Sequence, residues 1–168
     1  MPGILPSRAP ARKSRRFDSL EQEAFLHLWR TYDRLRIEED QLFETVDLTP
    51  QQYNALRLLR GKHPEGLQTL VLAKRLVSRA PDITRLLDKL EKRTLIRRDR
   101  PAQNRRIVEI RITDAGLKLL QSLDEAVRRC HARQLGHVPQ SRLRQLIALL
   151  EEARRPHESP ETSWAETS

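Results

Sequence analysis

The segment from Arg79 to Arg106 concentrates side chains that can bind phosphate. It holds ten arginine or lysine residues and four carboxylates, and therefore carries most of the chain's formal net charge of +9. Arginine presents a planar fork of donors that fits phosphate oxygens and guanine edges. Positive charge localised in one segment is the footprint expected of a nucleic-acid-binding surface.

The other reactive residues do not predict a catalytic or metal site. The sequence has no glycine-rich nucleotide loop, and its scattered histidines give no Ser/His/Asp arrangement, so we predict that the chain is not an enzyme and uses no cofactor. Cys130, His131 and His137 have poor spacing for a metal, because neighbouring helical residues point in different directions. We therefore predict no metal site.

Cys130 is the single cysteine, so no internal disulfide can form. Two readings of it are open. Arg128, Arg129 and His131 beside it could lower its pKa and make it a redox sensor, or it could be an inert thiol in or near a dimer core, which we favour.

A chain with one cysteine fits a reducing compartment, and we find neither a secretory signal nor an apolar run that would span a membrane. We predict a cytoplasmic protein with no membrane partner.

Helix signals precede the basic segment. Ser19 and Gln22 form a capping-box pattern, and no Gly or Pro interrupts the chain from there to Val46. A helix of that length, about 40 Å, outreaches a small domain and must pack along something else, such as a second subunit.

Three shorter helices are predicted next. Thr49 begins the first, which Gly61 ends. The second covers residues 67–77, and the third runs from Pro81 to about Arg93.

The apolar period then changes from helical to alternating. Val108, Ile110 and Ile112 have strand spacing, and residues 95–98 supply a partner strand across a turn at residues 101–104. Helices from Thr113 to Gly136 and from Pro139 to Pro156 complete the chain.

The predicted fold class is therefore mainly α with a small β-hairpin wing, a winged helix-turn-helix. We predict a disordered basic arm over residues 1–17, a single domain over 18–155 and a disordered tail over 156–168. Within the domain, residues 48–112 form the winged helix-turn-helix, and residues 18–47 and 113–155 form dimerisation helices.

The third short helix has two distinct faces on a helical wheel. Its apolar face contains Ile83, Leu86, Leu87 and Leu90. The opposite face contains Ser78, Pro81, Asp82, Arg85 and Lys89. A solvated charged face would explain an isolated helix, but the adjoining basic hairpin favours insertion into a major groove.

The hairpin carries a second set of basic residues. Arg105 and Arg106 lie near its tip, where they are suited to the negative potential of a minor groove. Arg97, Arg98 and Arg100 are expected to touch phosphates or to pair with Asp99 and Glu109.

Three segments together resemble the MarR family of transcription regulators. They are "LTPQQYNALRLL", "LAKRLVSRAPDITRLLDKLEKRTLIRR" and "NRRIVEIRITDAGLKLL", which cover about residues 48–120. The resemblance implies a homodimer that reads a pseudo-palindromic double-stranded operator, commonly as a repressor released by a small aromatic ligand. It matches Arg105 and Arg106 to the family's wing. Residues matched to its recognition-helix contacts are Ser78, Arg79, Pro81, Asp82, Thr84 and Arg85.

The sequence departs from the family pattern at two places. Asn104-Arg105-Arg106 replaces the usual Asp-x-Arg of the wing, and Thr94 replaces the glycine that usually follows the recognition helix. If that position needs a positive φ, threonine fits poorly and the turn is expected to differ locally.

His27, Trp29 and Tyr32 on the first helix are candidate residues for an effector pocket, or simple core or interface residues. Two other functions remain open. The protein could coat DNA as an architectural protein without sequence preference, or it could be a protein-interaction module whose charge only aids solubility.

Overall fold

The structure, a computed structural model, describes residues 17–77, 82–100 and 107–158. The chain divides into two compact units, residues 1–36 and 37–168. The described elements are α1 (Leu20–Glu44), α2 (Pro50–Arg60), β1 (Leu67–Gln68), α3 (Thr69–Arg75), α4 (Ile83–Lys92), β2 (Ile96–Asp99), β3 (Glu109–Ile112), α5 (Asp114–Leu135) and α6 (Gln140–Arg154). This confirms the predicted class, mainly α with a small antiparallel sheet.

The described part of the first unit is the beginning of α1. The amide of Gln22 donates to Ser19 Oγ at 3.1 Å, as the capping-box pattern predicts. The side chain of Gln22 accepts from the amide of Asp18 at 2.8 Å, so the reciprocal bond falls one residue earlier than predicted. Both bonds satisfy donors at the helix start that have no partner within the helix.

The core of the second unit lies between α2, α4, α5 and the sheet. Leu86, Leu87 and Leu90 are buried, with Ile83 packed against them, which confirms the predicted apolar face of α4. The other contributors that are almost fully buried are Leu56, Leu59, Leu72, Ile96, Ile110 and Leu120.

The sheet contains one strand that we did not predict. Its order is β1-β3-β2, and both pairings are antiparallel. Leu67 and Gln68, expected to begin a helix, instead pair with Ile110 and Glu109, and the helix starts at Thr69. Pairing with a strand far along the sequence overrides the local helical pattern here.

Several predicted helix boundaries are confirmed. Thr49 and Gln52 form a complete capping box at the start of α2, and Gly61 caps its end. The side chain of Thr113 accepts from the amide of Gly116 at the start of α5, and Gly136 caps its end. Pro156, expected to stop the last helix, lies in a 3₁₀ turn over Arg155–His157 that directly follows α6.

α1 and α4 end in the same hydrogen-bonded motif. At the end of α4, Thr94 has φ 57° and donates its amide to Glu91 O, while Leu95 donates to Leu90 O. These two bonds define a Schellman motif, in which the residue with positive φ is usually glycine. The expectation that Thr94 changes the turn is therefore wrong: the turn keeps the left-handed conformation, and threonine adopts it.

We expect Thr94→Gly to stabilise the protein. The left-handed conformation costs a β-branched residue about 1–2 kcal/mol, and glycine avoids this cost. Part of the gain is offset, because glycine also has more conformational entropy in the unfolded chain. The net gain should be about 0.5–1 kcal/mol, which raises Tm by about 1–4 °C for a chain of this size. Thermal unfolding followed by circular dichroism measures it.

Thr94→Ala is the matched control for this change. It removes the hydroxyl bond to Arg93 O, 2.6 Å long, while keeping a Cβ at positive φ. Alanine should bring no gain, and a Thr94→Gly variant no more stable than Thr94→Ala would contradict the strain argument.

α6, which the structure describes in full, buries none of its side chains. Its most exposed large apolar residues are Ile147 at 54% and Leu149 at 63%. Along α1, Leu20, Phe25, Leu28, Trp29 and Tyr32 are also exposed. Within the described residues, the structure contains no helix that is both long and apolar enough to cross a membrane.

Candidate nucleic-acid interface

The structure describes four of the nine residues predicted to contact DNA. Asp82, Thr84, Arg85 and Lys89 all lie on α4 or at its N-terminus and are exposed. The remaining five lie outside the described residues: Ser78, Arg79, Pro81, Arg105 and Arg106.

Arg85 and Lys89 form the exposed basic face of α4. They are four residues apart and so lie one above the other, while Leu86, Leu87 and Leu90 bury the opposite side. Three buried leucines fix the rotation of the helix about its axis, so the basic face has a defined direction. A single α-helix is narrow enough to enter a major groove about 12 Å wide.

Asp82 has a structural task that the sequence pattern did not separate from DNA contact. It is the N-cap of α4, and its Oδ1 accepts a hydrogen bond of 2.9 Å from the amide of Arg85. The cap defines where α4 begins and therefore where Thr84 and Arg85 lie. Whether Asp82 also contacts DNA stays a prediction.

α2 holds the chain that leads toward α4. The side chain of Asn54 in α2 accepts a hydrogen bond of 3.1 Å from the amide of Val77, which lies just beyond α3. Residues 78–81 follow, so Asn54 anchors the near end of the segment for which DNA contacts are predicted. Sequence analysis missed this role because the two partners are 23 positions apart.

Arg98 on β2 joins the hairpin to α4. Its Nη1 lies 2.6 Å from Asp88 Oδ1 and 2.9 Å from Glu91 Oε2, and its Nη2 donates to Thr84 O at 3.3 Å. Its amide also donates to Glu91 Oε1 at 3.1 Å. Arg98 therefore pairs with residues of α4 rather than with Asp99 or Glu109.

The outer part of the hairpin carries a second ion-pair cluster. Asp99 Oδ2 lies 3.2 Å from both Arg97 Nε and Arg111 Nε, so the expected pairing of Arg97 with Asp99 is confirmed. Arg111 also donates to Glu109 Oε2 at 2.8 Å, and this hydrogen bond raises the pKa of the Arg111 guanidinium. Of these pairs, the one between Asp99 and Arg111 joins β2 to β3, and it stiffens the outer part of the hairpin.

We expect Arg98→Ala to destabilise the protein by about 1–3 kcal/mol. The change removes a charged hydrogen-bond donor and leaves two carboxylates beside each other without their shared cation. Urea unfolding at neutral pH measures the loss. Arg97→Ala is the matched control, because the Arg97 side chain is 61% exposed against 27% for Arg98 and should change stability by less than about 0.5 kcal/mol. Equal losses of stability in the two variants would refute the role of Arg98 in joining the hairpin to α4.

The proposed effector residues lie on the N-terminal part of α1. Trp29 and Tyr32 are 61% and 60% exposed, and His27 is also exposed. His27 and Trp29 line an open depression of about 800 Å³ together with Phe17, Leu20 and Leu26, whereas Tyr32 is not among its lining residues. The structure thus brings two of the three residues together.

Cys130 is fully buried in α5. Burial raises the pKa of its thiol, and the nearby carboxylates of Glu39 and Glu38 act in the same direction. A raised pKa disfavours the reactive thiolate, so the geometry supports the inert reading over the redox reading. Among the described residues, no cluster of His, Cys, Asp and Glu is suited to hold a metal ion.

We expect Cys130 in the native protein to react with Ellman's reagent about 100-fold or more slowly than in the urea-unfolded chain. The reaction requires both local opening of the structure around Cys130 and ionisation of its thiol. The stability contributed by keeping the thiol neutral is present below the ordinary thiol pKa and is lost as pH rises toward the native pKa. A native rate close to the unfolded rate would restore the redox reading.

Comparisons with known proteins agree on one family. A sequence model of the MarR family matches residues 48–108. A MarR transcription factor from Planctomyces limnophilus is 58% identical, covers 81% of this chain and 98% of its own, and superposes with a TM-score of 0.64.

Two more distant structures superpose as well. The MepR–DNA complex of S. aureus is 26% identical, with coverage of 79% of this chain and 97% of that chain and a TM-score of 0.70. A putative MarR-like regulator from Bacillus cereus is 14% identical, with coverage of 83% and 99% and a TM-score of 0.73. At that identity the likeness concerns the fold alone.

Proposed function

The chain belongs to the MarR family of DNA-binding transcriptional regulators, and from this premise we propose that it is a homodimeric repressor released from its operator by a small ligand. Members of this family are transcription regulators and not enzymes. The observation that carries the proposal is the exposed pair Arg85 and Lys89 on a helix whose opposite face is fixed in the core.

The proposed DNA contacts include residues before α4, within α4 and after it, all of which were predicted from the sequence. We propose that Ser78, Arg79, Pro81, Asp82, Thr84, Arg85 and Lys89 contact the major groove and its phosphates. Arg105 and Arg106 contact the flanking minor groove. MepR, a relative with 26% identity, has been solved in complex with DNA, which supports the same mode of use for this fold.

Exposed apolar residues on the terminal helices support the homodimer. Ile147 and Leu149 of α6 are exposed, and so, on α1, is Trp29. Exposed large apolar side chains of this kind cost free energy in water and are typical of interfaces. We propose that residues 18–47 and 113–155 form the dimer base and that residues 48–112 form the DNA-reading lobe. Two lobes related by a twofold axis read a pseudo-palindrome with half-sites about 34 Å apart.

The open depression beside His27 and Trp29 supports an effector site. Its lining combines the aromatic rings of Phe17 and Trp29 with polar side chains that include His27 and Arg30. Such a lining suits a small aromatic ligand with a polar substituent, because it offers stacking area and hydrogen bonds that fix orientation. His27, Trp29 and Tyr32 are the proposed contacts, and Trp29 gives the site a fluorescent reporter for titration with candidate phenolic ligands.

The decisive experiment is a fluorescence-anisotropy titration of the full chain with DNA from around its own gene and with random DNA, at two salt concentrations. We expect a strong preference for one palindromic segment that persists at the higher salt, although both affinities fall as counterions are released. Equal binding that salt abolishes would favour the architectural alternative, and absence of binding at both salts would favour a partner-docking module.

A further inference from the structure

Arg93, the residue that caps the end of α4, reaches across to the end of α1. Its Nη2 donates to Val46 O at 3.0 Å, and its Nη1 donates to Asp47 O and lies 3.8 Å from Asp47 Oδ2. Val46 and Asp47 are the second and third residues after Glu44, where α1 ends. One guanidinium thus binds two carbonyls at the C-terminus of α1, where a positive charge is favoured by the helix dipole.

The two helix ends that Arg93 joins are built alike. Asp47 has φ 52° and donates its amide to Glu44 O, and Leu48 donates to Phe43 O, which is the Schellman pattern already described at Thr94. Leu48 and Leu95, the residues after the two positive-φ positions, are both buried in the same core. Both helix ends are therefore held by backbone hydrogen bonds and by a buried leucine. A bond between two such ends holds one helix in place relative to the other, because no flexible loop intervenes.

A cavity adjoins this link on one side. A cavity of about 560 Å³ lies beside it, lined by Asp47, Thr49 and Gln52 on one side and by Lys89, Lys92 and Arg93 on the other. The Arg93 bridge lies at the edge of this cavity and supplies a direct polar link between the α1–α2 corner and α4, beside the apolar packing of Leu48 and Leu90 in the core.

We infer that Arg93 is a positioning residue that sets the orientation of the DNA-reading helix α4 relative to the C-terminal part of α1. This inference rests on the proposed function for its consequence in DNA binding, because α1 forms part of the proposed dimer base. In a dimer, the angle between α1 and α4 determines the separation of the two α4 helices and hence the half-site spacing that the protein accepts.

A measurement without DNA tests the inference directly. Spin labels at Gln41→Cys on α1 and Thr84→Cys on α4, in a Cys130→Ala background diluted with unlabelled protein, report their distance within one protomer by pulsed electron resonance. We expect one narrow distance distribution that broadens about twofold in Arg93→Ala. Arg93→Lys keeps the positive charge but lacks the planar guanidinium that donates to two carbonyls at once. The width of its distance distribution should therefore lie between those of the wild type and Arg93→Ala.

Arg60→Ala is the matched control. The Arg60 side chain is 35% exposed against 32% for Arg93, and it binds Asp124 through two bonds of 2.8 and 3.1 Å, which join α2 to α5 rather than α1 to α4. Arg60→Ala should lower the Tm while leaving the α1–α4 distance distribution narrow. An unchanged distribution in Arg93→Ala, or equal broadening in Arg60→Ala, would overturn the inference.

DNA titration adds a second readout. Arg93→Ala should weaken binding to the complete palindrome roughly tenfold, change binding to a single half-site less than about twofold, and flatten the penalty for one added or removed base pair between half-sites. Equal losses on the half-site and the palindrome would assign Arg93 to groove contact or general stability. If the wild-type chain prefers no palindrome, the proposed function fails, and the distance measurement still decides the role of Arg93.

Discussion

Replacing Arg85 by alanine should weaken binding to the specific operator by about 1–3 kcal/mol, which is about 5- to 150-fold in Kd. Arg85 is exposed on the face of α4 opposite its three buried leucines, so it can form a paired hydrogen bond to guanine O6 and N7 without rearrangement of the core. Binding to random DNA should fall much less, because only one phosphate-attracting charge is lost. Competition anisotropy at fixed salt measures both affinities.

Two control variants separate groove reading from charge. Arg85→Lys keeps the positive charge but not the two-pronged donor geometry, so it should lose specific affinity while retaining non-specific affinity. Arg144→Ala removes an exposed arginine from α6, outside the proposed DNA-reading lobe, and should leave operator preference unchanged. If Arg85→Ala lowers specific and random binding by the same factor, Arg85 does not read sequence.

Replacing Gly116 by alanine should lower the free energy of unfolding by about 1–3 kcal/mol. In an open helix this substitution is normally stabilising, because glycine costs about 1 kcal/mol relative to alanine. Here an added Cβ would lie 2.4 Å from Leu95 O and 2.7 Å from Ile112 Cγ1, so the backbone before β2 or the start of α5 must move. The test is therefore whether Gly116→Ala lowers the free energy of unfolding, where the same change in an open helix would raise it. Urea unfolding measures this free energy.

Ala115 provides the matched position for this test. It lies in the same first turn of α5 and is exposed, so Ala115→Ser should change stability by less than about 0.5 kcal/mol. A Gly116→Ala variant as stable as the wild type would mean that α5 and the hairpin can separate at little cost. The close approach at Leu95 would then not fix the hairpin base.

Local signals were enough to predict most helix ends. Thr49 with Gln52, and Thr113 with the turn that follows it, satisfy their own backbone donors within three residues, so the information is present in a short stretch of sequence. The apolar face of α4 was predictable for the same reason, because its period is contained in one helix.

Features that depend on distant partners were not predictable. β1 exists because Leu67 and Gln68 meet β3, more than 40 positions later, and nothing in the local pattern of residues 67–77 indicates that pairing. The same holds for the site. Exposure of Arg85 and Lys89 followed from helical periodicity, but the choice of Arg98 for Asp88 and Glu91 depends on how β2 lies beside α4.

The prediction that Thr94 changes the turn after α4 was wrong for a different reason. The left-handed penalty for threonine is real, but it is about 1–2 kcal/mol, and two backbone bonds together with burial of Leu95 outweigh it. Residue preference at Thr94 therefore predicted the conformation of the turn wrongly, and the strain it implies stays a prediction that Thr94→Gly tests.

The strand order β1-β3-β2 has a consequence for synthesis on the ribosome. The central strand is the last of the three to be translated, so neither outer strand has its partner until residue 112 has been made. At about 5–20 residues per second, the interval between residues 67 and 112 lasts about 2–9 s. During that time α3 and α4 are synthesised after α2, without the sheet against which they pack in the finished chain, and α5 and α6 are synthesised only after all three strands exist.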